Sequence, residues 1–136
     1  MTRKLSILVV DDEATLRVLA EIQLTHAGHT AACATNGREA VTMALAATTP
    51  YDVILMDLRM PVMDGHEAMR QLQAAPATCF IPIVCVSGES LGLDEARAQG
   101  RAQAYISKPY SRQQLLDALD EALAARGRSA CDERVD

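Results

Sequence analysis

A parallel α/β layer fold, with five strands covered on both faces by five helices, is expected for this chain on two observations. Apolar runs of strand length recur without polar alternation, and stretches of helical period separate them. Strands that do not alternate are buried on both faces, as in a parallel sheet. Strand and helix changing places five times imply crossover connections, and crossovers lay helices against the sheet.

The elements follow in order. Leu5 to Val10 reads as the first strand, and Leu16, Leu19, Ala20 and Leu24 mark one face of the first helix. Thr30 to Ala34, after Gly28, is a weaker strand, and Ala40, Val41, Ala44 and Leu45 give a second helix. Val53 to Met56 forms the third strand, and Asp64-Gly65 opens a helix reaching Leu72. Ile81 to Val86 is the fourth strand, followed by a short, weakly amphipathic helix from Leu91 to Gln99 with Gly100 at its end. Ala104 to Ser107 precedes Pro109 as the last strand, and Leu115, Leu119 and Leu123 mark the closing helix. One domain over 1–126 and a flexible tail over 127–136 are expected.

The 136 residues suffice for one hydrophobic core, and 49% hydrophobic with 23% charged residues excludes disorder for most of the chain. A net charge of −5 argues against a nucleic-acid grip or an anionic-membrane patch, which need clustered Lys and Arg. The opening apolar run stops against Asp11 and Asp12, too short for a signal peptide, and nothing approaches a membrane span, so a cytoplasmic chain is expected. Cys33, Cys79, Cys85 and Cys131 form no Cys-x-x-Cys pair, which reads as a reduced chain.

Ligands of parallel α/β sheets bind outside the carboxyl ends of the strands. Here those ends carry Asp11-Asp12-Glu13, Asp57, Ser87 and Lys108-Pro109. Taken singly, the acids read as a helix cap, Ser87 as a turn residue and Lys108 as a solvated cation. Taken together, carboxylates within about 4 Å repel by about 1 to 4 kcal/mol per pair and call for a cation. Oxygen ligands alone favour a hard ion, Mg²⁺ or Mn²⁺, of the kind that shares phosphate oxygens. Asp57 then reads as a nucleophile forming an acyl phosphate, with Lys108 and Ser87 to hold the charge of the transferred group.

In order, Asp11-Asp12, the block Asp57-Leu58-Arg59-Met60-Pro61 with Met63-Asp64-Gly65, Ser87-Gly88, Tyr105 and Lys108-Pro109 resemble the receiver domains of two-component response regulators. The match runs from about Leu5 to Leu123. The resemblance implies a flavodoxin-like strand order 2-1-3-4-5, Asp57 as phosphoacceptor, Asp12 and Asp57 as direct Mg²⁺ ligands, Asp11 acting through water and the Arg59 carbonyl completing the set. It further implies that Ser87 and Lys108 contact the phosphoryl group, that Tyr105 moves inward as Ser87 is drawn to the phosphate, and that Lys108-Pro109 is cis. The implied donor is a phosphohistidine on a histidine kinase or phosphotransfer protein, and the implied output is an unknown protein target with no nucleic acid or membrane. The chain would be a self-dephosphorylating phosphoacceptor and not a turnover enzyme, a monomer or weak dimer, and either a single-domain regulator or the receiver of a hybrid histidine kinase. A phosphorylation-independent scaffold is the alternative.

Two positions depart from the common pattern. Arg59 and Glu89, two residues after the phosphoacceptor and the hydroxyl residue, are expected to pair over the entrance and gate water. Gly100 stands one residue earlier than in most members, which predicts a fourth helix that ends differently and, with Gly92 near its start, is short or mobile. Rival functions fit less well. A flavin phosphate would be repelled by Asp11-Asp12-Glu13, and an aspartyl phosphatase needs a second aspartate where Arg59 stands.

Overall fold

In a computed structural model that describes residues 3–125, five parallel strands lie in the order β2-β1-β3-β4-β5. The chain runs β1 (Ser6–Val10), α1 (Ala14–His26), β2 (Thr30–Ala34), α2 (Gly37–Ala46), β3 (Val53–Asp57), α3 (Gly65–Ala74), β4 (Ile83–Ser87), α4 (Ser90–Gln99), β5 (Ala104–Ser107) and α5 (Arg112–Ala124). The expected fold and strand order are thus found. The proposed tail over 127–136, with Cys131, lies outside the described residues.

Each strand's period of two splits the core into two layers. Leu8, Val10, Ile54, Met56, Ile83 and Cys85 point to the side of α2, α3 and α4. Their neighbours Ile7, Val9, Val53, Leu55, Val84 and Val86 point to α1 and α5, meeting Leu24, Leu115 and Leu119. Helix starts are fixed locally. Asn36 and Asp64 accept the Glu39 and Glu67 amides, and Ser111 with Gln114 forms a capping box.

Several expectations need correction. Leu19 and Leu45, assigned to buried faces, are each 48% exposed, because α1 buries Ala20 and Leu24 and α2 buries Ala40, Val41 and Ala44 as narrow stripes. The fourth strand starts at Ile83, not Ile81: Ile81 N–H closes a turn onto Thr78, and Pro82 has only its carbonyl to offer, which accepts Ile54 N–H at 3.0 Å. The third strand reaches one residue further, so Asp57 is a strand residue. The fourth helix is not short; its ten residues equal α2 and α3 in length, and Gly100 ends it at φ 67°. Cys79 is disulfide-bonded, against the reduced reading, whereas Cys33 and Cys85 are free thiols.

Candidate functional site

The carboxyl ends of β1, β3, β4 and β5 bring together the residues singled out by the sequence. Asp11, Asp12 and Asp57 each offer a carboxylate oxygen, all within 4.8 Å of one another. Asp11 and Asp57 are buried and Asp12 is exposed, so the cluster has a floor and an open side. Lys108, at the end of β5, reaches in with Nζ 2.9 Å from Asp11 Oδ2 and 3.4 Å from Asp57 Oδ1. Its register is held by the backbone, Lys108 N–H donating to the Ser87 carbonyl at 2.8 Å. The Lys108-Pro109 peptide is cis, as the resemblance implied.

The β1–α1 loop is tied down around Asp11. Its Oδ1 accepts the Glu13 N–H at 2.9 Å, and its carbonyl accepts the Arg17 guanidinium at 2.8 Å. On the other side Ser87 is 3% exposed, and its Oγ accepts the Glu89 N–H at 3.0 Å. A Cβ on Gly92 would lie 3.3 Å from Ser87 Oγ, so the glycine that had suggested a weak helix leaves room for that hydroxyl. Gly65 matters more. A Cβ there would stand 2.3 Å from the Asp57 carbonyl oxygen, closer than any real contact, so α3 can start against β3 only through glycine. The Asp64-Gly65 pair signalled a helix start in the sequence, but the close approach had no local sign.

Burial dominates the electrostatics of Asp57. It pushes the carboxyl up, Lys108 pulls it down, and the charges of Asp11 and Asp12 push it up again, to a pKa of about 6. Burial alone lowers Lys108, but the hydrogen bond to Asp11 and the charges of Asp57 and Asp11 outweigh it, so the ammonium is held more firmly than in water. One lysine thus serves two buried carboxylates and leaves Asp12 over. A set of oxygen donors with surplus negative charge suits a hard divalent cation such as Mg²⁺.

The cluster opens into a cleft of about 980 Å³ whose walls include Asp12, Arg59, Ser87 and Glu89. Across its mouth Arg59 Nε lies 3.0 Å from Glu89 Oε1, with the side chains 79% and 53% exposed, so the expected pairing is present. Tyr105 sits one strand over, half-buried against α4, with its hydroxyl donating to the Ala96 carbonyl at 3.3 Å. Two polar residues given no role in the sequence reading serve the opposite edge of the sheet. Buried His29 accepts the Leu5 N–H on Nδ1 at 3.0 Å, and Asp52 accepts the Ser6 N–H at 2.8 Å. A strand start leaves free amides, but a lone His or Asp in a loop does not announce which it will cap.

A family model described as "Response regulator receiver domain" matches residues 7–120. Among curated proteins the chain is similar to the "Two-component response regulator ORR41" of Oryza sativa subsp. japonica, 42% identical over 85% of this chain and 92% of that one. It is also similar to the "Transcriptional regulatory protein ResD" of Bacillus subtilis, 40% identical over 81% of this chain but spanning only 44% of ResD. Among solved structures it superposes, with TM-score 0.81 and 29% identity over 90% of this chain and 99% of the other, on the receiver domain of the sensor histidine kinase PA1611 of Pseudomonas aeruginosa. That structure holds a magnesium ion coordinated in its active-site cleft.

Proposed function

Because the chain belongs to the response regulator receiver family, we propose that its Asp57 carboxylate accepts a phosphoryl group from a phosphohistidine on a histidine kinase or phosphotransfer protein. The chain is a receiver of two-component signalling, related both to response regulators and to the receivers of sensor kinases, and its acidic pocket fits a phosphoacceptor aspartate and Mg²⁺. The observation that carries Asp57 is its position: a buried strand-end carboxylate between Lys108 on one side and the open cleft with Ser87 on the other.

Asp12 and Asp57 would hold Mg²⁺ or Mn²⁺ directly, Asp11 through water, and the Arg59 carbonyl would complete the protein ligands. When bound, the cation supplies positive charge for the oxygens of the transferred group. An Asp57 oxygen attacks phosphorus in line, the bond from phosphorus to the donor imidazole nitrogen breaks, and the electron pair leaves with the imidazole. Lys108, already 3.4 Å from Asp57, and the Ser87 hydroxyl take the phosphoryl oxygens. Water attacking the same phosphorus later returns Asp57 as a carboxylate and releases phosphate, so the chain resets itself without being a turnover enzyme. The Arg59–Glu89 pair over the cleft limits that water's approach.

Phosphorylation would draw Ser87 inward, free space for Tyr105, and so alter the surface met by a protein target. The domain occupies 1–126 and acts in the cytoplasm as a monomer or weak dimer; no helix among the described residues is long and apolar enough to cross a membrane. Intact mass after incubation with acetyl phosphate and Mg²⁺ is the test. A single phosphoryl adduct lost with EDTA and in Asp57→Asn is expected. No adduct, also with a phosphorylated kinase as donor, would favour the phosphorylation-independent scaffold.

A further inference from the structure

Tyr105 is gripped by the last turn of α4. Its hydroxyl donates to the Ala96 carbonyl at 3.3 Å and accepts the Ala102 N–H at 3.2 Å, while the Arg97 guanidinium carbon lies 5.5 Å from the ring centroid. The Ala96 carbonyl also accepts the Gly100 N–H at 3.0 Å, so the helix cap and the phenol share one acceptor. The early glycine is what permits this. Gly100 turns the chain at φ 67°, and three residues, Arg101 to Gln103, then lead to β5, which brings the Ala102 N–H round to the phenol. Arg97 is itself steadied by Asp94 at 3.9 Å and is 54% exposed, so the core does not depend on it.

A Tyr105 ring turned in towards Ser87 would have to give up its hydroxyl bonds to Ala96 and Ala102 and the placement of its face under Arg97. Since a phosphoryl group shifts an equilibrium only by its differential contacts with the two conformers, contacts made in the resting conformer alone set the balance from the other side. We propose that the last turn of α4 is a clasp holding Tyr105 in its resting place, with Arg97 the positioning residue that sets its strength. The proposal rests on the reading that Tyr105 moves on phosphorylation. A looser clasp raises the resting population of the inward conformer and, by linkage, eases phosphoryl uptake. Arg97→Lys keeps the charge but not the planar stack, so it recovers only part of the effect.

The chain has three tyrosines, so the Tyr105 ring resonances are assignable in a tyrosine-labelled sample with Tyr105→Phe as reference. They are recorded for wild type, Arg97→Ala and Arg97→Lys, with and without acetyl phosphate and Mg²⁺, after thermal melts show all three folded. In wild type the signal is expected to move on phosphorylation. In resting Arg97→Ala it is expected part-way along that path, reporting an inward population about two- to fivefold larger, with the half-saturating acetyl phosphate lowered by the same factor and Arg97→Lys in between. A moving wild-type signal with resting Arg97→Ala unchanged overturns the clasp and leaves the switch standing. A wild-type signal that stays put while the phosphoryl adduct is present overturns the switch and the clasp with it.

Discussion

At the amino edge of the sheet, Leu5 N–H meets His29 Nδ1 at 3.0 Å, Ser6 N–H meets Asp52 at 2.8 Å, and Ile83 N–H meets Gln103 Oε1 at 2.8 Å. At the carboxyl edge Asp11 and Asp57, 7% and 6% exposed, share one lysine, and Asp12 stands beside them with no ion pair among the described residues. The sheet therefore has one edge where side chains and backbone carbonyls answer the amides at the strand starts, and an opposite edge where the carboxylates after β1 and at the end of β3 are short of positive charge. Satisfied buried groups add stability, whereas crowded like charges cost it unless something positive arrives. The difference teaches where this fold is stabilised and where stability is given up for binding.

Exchanging a residue at each edge breaks the comparison most directly. His29→Ala orphans the Leu5 N–H and is expected to destabilise the chain by about 1 to 3 kcal/mol while phosphoryl uptake persists. Asp57→Asn is expected to do the reverse, abolishing the adduct and raising stability at pH 8 by about 1 kcal/mol, a figure kept small because the cleft is open to water. Paired urea melts and intact masses check both. Loss of stability in Asp57→Asn would mean that the carboxylate is already compensated.

pH sharpens the same contrast. Asp57 is raised from an ordinary value of 3.8 to about 6, so the folded chain binds its proton more tightly than the unfolded chain. The sign follows: its contribution to stability falls as pH rises from the unfolded value through about 6 and stays low above it. A ¹³C carboxyl titration in EDTA should show a midpoint near 6, and added Mg²⁺ should lower it. Where the carboxylate is the nucleophile, uptake at low Mg²⁺ should be about tenfold slower at pH 5 than at pH 7. A midpoint near the ordinary value would show that Lys108 outweighs burial.

The smallest effect belongs to the cleft mouth. The Arg59–Glu89 pair is mostly exposed and so worth at most about 1 kcal/mol. Arg59→Ala is expected to hasten dephosphorylation by about two- to fivefold with little change in melting temperature. Equal decay of the phosphoryl adduct in variant and wild type would remove its part in shielding the site.

Much of this was legible in the chain. The Val- and Ile-rich runs fell on β1, β3 and β4, and Asp57, Ser87 and Lys108 were read at strand ends that do meet. The positions of Arg59 and Glu89, each two residues past a site residue, already set them across the cleft mouth, where they pair. The helical faces were less legible, since Leu19 and Leu45 satisfied the period and still face outward. Helical period records which residues are apolar, not how wide a stripe the sheet will cover.

By itself, then, the sequence determined the alternation of strand and helix, the helix start at Asp64-Gly65, and the residue types of the acidic site, because each is set by neighbours within a few positions. Only the tertiary structure decided the rest. That Gly65 must lie against Asp57, that His29 would answer Leu5, and that Arg97 would cover Tyr105 depend on elements that meet only after the sheet has formed. The raised pKa of Asp57 has the same origin, because burial and the nearness of Asp11 and Lys108 are properties of the folded edge and not of any local run of residues.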